Sequence, residues 1–138
     1  MIQDIAFAEV KVGETASMTK TISEHDIYTY AGLTGDFNPI HVNSEFAKQS
    51  SFGERIAHGL LVAGLFSAII GTRLPGANTV YLKQELKFKN PVKIGDTVTA
   101  RVEVLEKIER ANWLIMRTLA TNQNGVVLLD GKATIMKK

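Results

Sequence analysis

The 138-residue sequence contains no cysteine. A chain without cysteine has no disulfide framework, no thiolate metal site and no cysteine nucleophile, so these kinds of stabilisation and chemistry are excluded. Proteins that do without disulfides are typical of reducing compartments, and we expect this chain to work in the cytoplasm.

The sequence also lacks a strong excess of charge of either sign. Lysine and arginine number 16 and aspartate and glutamate 14, which gives a formal net charge of +2 at pH 7. This balance creates no broad field for a polyanion or an anionic surface, so neither a nucleic acid nor a membrane is an expected partner. The longest uncharged run, residues 56–72, is shorter than the roughly 18–20 apolar residues of a membrane span. The N-terminus has no basic start followed by an apolar stretch, so we expect no signal peptide.

The signatures of several enzyme classes are missing as well. There is no glycine-rich phosphate-binding loop and no Gly-x-Ser-x-Gly nucleophile elbow. His25, His41 and His58 are separated by 16 and 17 residues and have no paired acidic ligands, so no metal site is expected.

The first half of the chain has a helical and loop-like pattern. Ser23 and Asp26 have the spacing of a capping box, which predicts a helix over residues 24–33 that Gly35 ends. Asn43 or Ser44 is expected to begin a short helix that runs to about residue 49. The stretch 59–72 is apolar on every face, which is typical of a buried helix.

The second half is mostly β. Alternation with a period of two and the intervening turn residues predict strands over 79–89, 97–108, 113–122 and 126–136, in addition to a threonine-rich strand over 14–23. One long buried helix against a mostly antiparallel sheet is an α+β architecture, and we expect residues 1–138 to form a single domain. Such a sheet has two faces and two edges that one short chain covers incompletely, which favours dimerisation.

Reactive side chains are most concentrated in Gly35-Asp-Phe-Asn-Pro-Ile-His41. Pro39 stiffens this segment, which is predicted to be an ordered loop. Asp36 and His41 could face one cavity and hold a single water, because a carboxylate and an imidazole can each accept or donate protons near neutral pH. The alternative is a purely structural turn, in which Asp36 and Asn38 bond backbone amides and His41 is a satisfied histidine.

A second candidate is Ala57-His58-Gly59, at the start of the predicted buried helix. The amides in the first turn of a helix have no intrahelical acceptor and can face an oxyanion, and glycine allows a ligand carbonyl to approach closely. The alternative is that Gly59 only permits a tight bend, and that His58 caps the helix or lies at the surface.

A local basic stretch is the third feature. It contains Lys83, Lys87, Lys89 and Lys93. Such a stretch is either the solvated face of a strand or a set of contacts for the phosphates of a nucleotide-like ligand.

Taken together, these segments resemble the signature of the (R)-specific enoyl-CoA hydratases, also called MaoC-like dehydratases, which have the hot-dog fold. The resemblance begins at the aromatic Tyr30, continues through Gly35-Asp-x-Asn-Pro-Ile-His41 and ends at the small residue Ala47. Ile56-Ala-His-Gly59 and Phe88-Lys-Asn-Pro-Val-Lys-Ile-Gly-Asp96 resemble further landmarks of the family in the expected order. The likeness extends from about residue 12 to residue 136.

The resemblance implies a hot-dog fold, in which a mostly antiparallel sheet wraps around a long buried central helix, commonly in a homodimer. It implies reversible hydration of a trans-2-enoyl-CoA to an (R)-3-hydroxyacyl-CoA. Asp36 and His41 match the catalytic pair that binds the attacking water, Asn38 matches a residue that helps to order the site, and the Gly59 amide matches the donor to the thioester oxygen. Lys87 and Lys89 are the candidates for contacts with the CoA phosphates.

No metal or redox cofactor is expected, since a conjugated thioester is already electrophilic and coenzyme A is part of the substrate. Three alternatives stay open: a hot-dog thioesterase, against which Asp36, Asn38 and His41 argue; a dehydratase of branched or carrier-protein-bound substrates; and a non-catalytic acyl-CoA-binding protein. The hydratase would feed or drain fatty-acid or polyester metabolism. The sequence leaves open which of Asp36 and His41 is the base.

Overall fold

Five β-strands and four α-helices make up most of the computed structural model, which describes residues 1–138. The strands are β1 (Thr15–Thr21), β2 (Thr79–Phe88), β3 (Thr97–Ile108), β4 (Trp113–Thr121) and β5 (Val127–Lys137). The helices are α1 (Glu24–Thr34), α2 (Pro39–Val42), α3 (Ser44–Lys48) and α4 (Gly59–Thr72). The strands form one antiparallel sheet in the order β1-β3-β4-β5-β2, and α4 packs against it. The predicted α+β class is confirmed.

Helix α1 begins and ends at the residues that the sequence indicates. The Ser23 side chain accepts a hydrogen bond from the Asp26 amide at 3.1 Å, and the Asp26 carboxylate accepts one from the Ser23 amide at 2.9 Å. Gly35 follows the helix with a φ of 79°, a left-handed conformation that glycine adopts without a steric penalty. The turn at Gly35 sends the chain into the segment that carries Asp36.

The segment 35–41, predicted to be a loop, contains the one-turn helix α2. Pro39 occupies its first position, where a missing N–H costs nothing, and the Asn38 side chain accepts a hydrogen bond from the Ile40 amide at 3.2 Å. The loop prediction was therefore wrong for the last residues of the segment, because Asn38 acts as a helix cap. Asn43 caps α3 in the same way, through the Phe46 amide at 3.0 Å.

Helix α4 has the predicted bounds but is not buried on all sides. Val62, Phe66 and Ile69 are fully buried against the sheet, whereas Leu60 is 60% exposed. Further exposed positions on the same helix are Gly64, Ser67, Ala68 and Gly71. The prediction of burial on every face was wrong for a single chain, because one sheet covers only one side of a helix. No helix in the structure has both the length and the apolar character needed to span a membrane.

Asp96 ties the start of β3 to the turn between β4 and β5. Its side chain is buried, with 7% of the residue exposed. One carboxylate oxygen accepts the Lys93 amide at 2.9 Å, and the other accepts the Gln123 side-chain amide at 3.1 Å. Gln123 in turn accepts a hydrogen bond from the Thr97 amide at 3.0 Å. Removal of this carboxylate would take the acceptor away from the Lys93 amide and from the Gln123 side-chain amide.

We expect Asp96→Ala to lower the free energy of unfolding by about 1–3 kcal/mol, because it removes two hydrogen bonds to a buried carboxylate, and hydrogen bonds to charged groups are among the stronger ones in proteins. Asp130→Ala is the matched control, because the Asp130 carboxylate lies 3.3 Å from Arg117 in a largely exposed ion pair of a kind that is worth about 1 kcal/mol or less. Urea unfolding at one protein concentration measures both. Equal losses for the two variants would contradict the role assigned to Asp96.

Candidate active site

The segment between α1 and α2 presents Asp36 at the surface. The Asp36 carboxylate accepts a hydrogen bond from the Asn38 amide at 3.2 Å, and the Asp36 amide donates to the Thr34 hydroxyl at 3.2 Å. The turn bonds of the structural alternative are therefore present. They involve one carboxylate oxygen of Asp36, so they are compatible with a second role for that side chain.

Asn38 positions His41 through the backbone. Its side chain caps α2, as described above, and His41 is the third residue of that helix. Since α2 is only one turn long, the cap fixes where the helix begins and hence where the imidazole stands. The structure thus gives Asn38 a positioning contact, in keeping with its predicted part in ordering the site.

His41 is 9% exposed, and the Nδ1 of its ring lies 2.7 Å from the carbonyl oxygen of Ile56. A carbonyl only accepts hydrogen bonds, so Nδ1 carries the proton and donates it. In the neutral imidazole Nε2 is then left with a free lone pair. The backbone of Ile56 therefore selects the tautomer in which Nε2 can accept a proton.

His58 joins these two residues; in the sequence it lies in the second candidate segment, but its side chain was given no role in the site. It is 2% exposed, and its Nε2 donates to the Asp36 carbonyl oxygen at 2.9 Å. Its ring stacks on that of His41, with centroids 3.9 Å apart. His58 occupies the N-cap position of α4, but its side chain makes no capping bond. Neither expectation for His58, a helix cap or a surface residue, describes this side chain.

Asp36, His41 and His58 form one compact cluster. One nitrogen or carboxylate oxygen from each of the three lies within 4.8 Å of the others. This spacing is small enough for one water molecule to contact more than one of the groups. In the sequence His58 was noted only as part of the segment Ile56-Ala-His-Gly59, because its burial depends on the distant loop that carries Asp36.

Gly59 begins α4, so its amide belongs to the first turn, where no intrahelical acceptor is available. A Cβ at this position would lie 2.6 Å from two ring carbons of Phe88. The structure therefore explains why glycine stands at this position, which the sequence did not: the end of β2 packs so closely against the start of α4 that no side chain fits unless the Phe88 ring moves. The exposed fraction of Phe88, 57%, shows that the other side of the ring is open.

A cavity of about 270 Å³ borders Gly59 and the Phe88 ring. Other residues that line it include Phe52, Ile56, Lys89 and Leu129. Ile56 connects the cavity to the cluster, since its carbonyl holds the His41 ring. A ligand in this cavity would lie beside Gly59.

The structure separates the two lysines that were predicted to act together. Lys89 lines the cavity beside Gly59. Lys87 lies on the outer face of the sheet, where it shares a depression with Arg117, Asp130 and Lys132. Phe88, between them, points toward α4. The structure brings Lys89, and not Lys87, to the candidate site.

Comparison with known proteins agrees with this geometry. The family model described as MaoC like domain matches residues 8–124. The chain is 51% identical over 130 residues to an (R)-specific enoyl-CoA hydratase from Rhodospirillum rubrum, which covers 94% of this chain and 90% of that protein. It is 47% identical to a 3-hydroxybutyryl-CoA dehydratase from Methylorubrum extorquens, over 94% of this chain and 82% of that protein. The solved structure of R-hydratase PhaJ1 from Pseudomonas aeruginosa has a TM-score of 0.92 and 45% identity, and the match covers 99% of this chain and 87% of that chain. The predicted hot-dog fold is confirmed.

We expect Gly59→Ala to destabilise the protein by about 1–3 kcal/mol, the usual cost of overpacking, because the added methyl group must displace the Phe88 ring. Gly32→Ala is the control: it adds the same group in the interior of α1, where no atom lies within 4 Å of the new Cβ. Urea unfolding measures both. In a Phe88→Ala background the cost of Gly59→Ala should vanish, and a cost that persists there would show that the ring is not its cause.

Proposed function

The chain belongs to the MaoC-like domain family, and from this we propose that it is an (R)-specific enoyl-CoA hydratase. It adds water reversibly to a trans-2-enoyl-CoA and forms an (R)-3-hydroxyacyl-CoA. The observation that carries the proposal is the cluster at the start of α4, in which the Asp36 carboxylate and a His41 ring with a free Nε2 lie within reach of one water. The named activities of the relatives support the substrate class.

In the hydration direction, the water oxygen forms a bond to C3 of the substrate while the water gives up a proton. The tautomer of His41 makes its Nε2 the proton acceptor, and the Asp36 carboxylate accepts the second O–H of the same water. Electrons of the C2=C3 double bond move toward the thioester oxygen. A proton returned by the Asp36–His41 pair to C2 completes the product, and each such transfer contributes about 10²–10⁴-fold in rate.

The negative charge that develops on the thioester oxygen needs a donor that is already in place. The Gly59 amide has no intrahelical acceptor and stands at the positive end of α4, and Gly59 borders the cavity. A preorganised N–H of this kind stabilises an enolate-like transition state without reorganisation. We assign the oxyanion contact to Gly59 on this basis. The reaction moves only protons and electron pairs, so we propose that it requires no metal or redox cofactor.

We further propose that the enzyme is a cytoplasmic homodimer. In support, β2 is an edge strand of the sheet, and one of its two edges pairs with no other strand of the chain. Unpaired strand edges favour pairing with another chain. The exposed side of α4 offers additional surface for a second copy, with Leu60 as its largest apolar residue. The absence of cysteine agrees with a reducing compartment. A role in fatty-acid or polyester metabolism stays a prediction.

Purified protein mixed with crotonyl-CoA should bleach the absorbance of the conjugated thioester without releasing free thiol. Asp36→Asn and His41→Ala should each lower kcat by about 10²–10⁴-fold, because each removes a group that contacts the reacting water. His25→Ala should retain full activity, since His25 is exposed on α1. Circular dichroism verifies that all three variants fold.

Two of the three alternative functions give a different result in this assay. Release of thiol would show a thioesterase, and binding without a change in absorbance would show an acyl-CoA-binding protein. Near-full turnover by either Asp36→Asn or His41→Ala would remove that residue from the mechanism.

Lys89→Ala should raise KM for the acyl-CoA about two- to fivefold with little change in kcat, as expected for the loss of an exposed charge contact worth about 0.5–1 kcal/mol. Lys87→Ala is the matched control and should leave both constants unchanged, because Lys87 lies on the outer face of the sheet. A larger effect on KM from Lys87 than from Lys89 would contradict the placement of the CoA phosphates beside the Gly59 cavity.

A further inference from the structure

His58 is the one buried ionisable group beside the reaction centre to which the mechanism gives no part. We infer that it is a positioning residue that holds the Asp36 segment and the His41 ring in place for the hydration step, an inference that rests on the proposed function. Two independent contacts carry it: a hydrogen bond to the backbone of Asp36 and a ring stack on His41.

The hydrogen bond to Asp36 is the anchor of an exposed segment. Residues 35–38 are all exposed. Every other hydrogen bond that they make, by backbone or side chain, stays within residues 31–41. The bond from His58 Nε2 to the Asp36 carbonyl, 2.9 Å long, is the only one that fastens this segment to a distant part of the chain. Without it, the position of the Asp36 carboxylate would depend on local turn bonds alone.

The ring stack fixes the second member of the pair. The Ile56 carbonyl holds one edge of the His41 ring through Nδ1, but a single hydrogen bond leaves the ring free to tilt about that bond. The His58 ring lies against it with centroids 3.9 Å apart and planes inclined by 30°. Tyr30 of α1 contacts the His58 ring in turn, at 4.6 Å between centroids. The His58 ring is thus held between α1 and the His41 ring. The stack in turn fixes the direction in which Nε2 of His41 points.

The second nitrogen of His58 shows that the imidazole is not there for packing alone. Because Nε2 donates to a carbonyl, Nδ1 carries a lone pair in the neutral ring. This Nδ1 is buried and has no hydrogen-bond partner, which costs stability. Phenylalanine would fill the same space without an unpaired polar atom. The bond to Asp36 is the contact that phenylalanine cannot make, and it accounts for a histidine at this position.

Two substitutions separate the two contacts. His58→Gln places an amide donor near the position of Nε2 and removes the ring, whereas His58→Phe keeps a ring and removes the donor. We expect each to lower kcat by at least tenfold and by up to about 10²-fold, the cost of misplacing a catalytic group by an ångström, with KM within about threefold of wild type. We also expect His58→Phe to unfold at the same or a higher urea concentration than the wild type, since it removes the unpaired nitrogen. A loss of activity without a loss of stability is a result that a purely structural role would not give.

A double-mutant cycle then tests whether His58 acts through His41. In a His41→Ala background, His58→Gln should cause less than a twofold further loss, because the ring that it positions is gone. Full additivity, or wild-type kcat in both folded single variants, would overturn the inference. His25→Gln serves as the control histidine throughout.

Failure of this inference is distinguishable from failure of the proposed function. Absence of crotonyl-CoA hydration by the wild-type protein would refute the function alone. The stack itself is read without turnover from the proton NMR signals of the His41 ring, which should shift in His58→Gln and remain unchanged in His25→Gln. Unchanged signals in His58→Gln would refute the contact even in an active enzyme.

Discussion

The hydrogen bond from His41 Nδ1 to the Ile56 carbonyl joins the segment after α1 to the segment that leads into α4. It fixes which nitrogen of the imidazole has a free lone pair, and the proposed chemistry depends on that choice. The four residues from Ile56 to Gly59 supply the carbonyl, the His58 ring and the free amide in immediate succession. Gly59 begins a helix whose buried face packs on the sheet, so the three groups lie at or directly before the start of a packed element.

Local signals in the sequence predicted most of the elements. The capping box at Ser23 and the glycine at position 35 determine α1, and the alternation of β3 gives its observed bounds, since both act between neighbouring residues. The one-turn helix α2 was missed because Asn38 and Pro39 are equally common in turns. The exposure of Leu60 could not be predicted, since an apolar run does not show which side of the helix the sheet will cover.

In the candidate site, too, features set by neighbouring residues could be predicted, and features set by distant contacts could not. Asp36 and His41 were found because they are close in sequence and match a family signature. The burial of His58 could not be found in this way, because it depends on contacts with Tyr30, Asp36 and His41. Period-two alternation would put Lys87 and Lys89 on one face of a strand, but β2 ends at Phe88, so the alternation does not extend to Lys89.

The packing of Phe88 on Gly59 links the amide donor to the last residue of β2, a strand with one unpaired edge. A molecule that pairs with this edge would lie beside the strand whose last residue packs on Gly59. If two copies associate along β2, specific activity becomes a function of enzyme concentration. Dilution would then lower the turnover number of each subunit before the subunit unfolds. A measurement of turnover against enzyme concentration would therefore measure the association of the two copies.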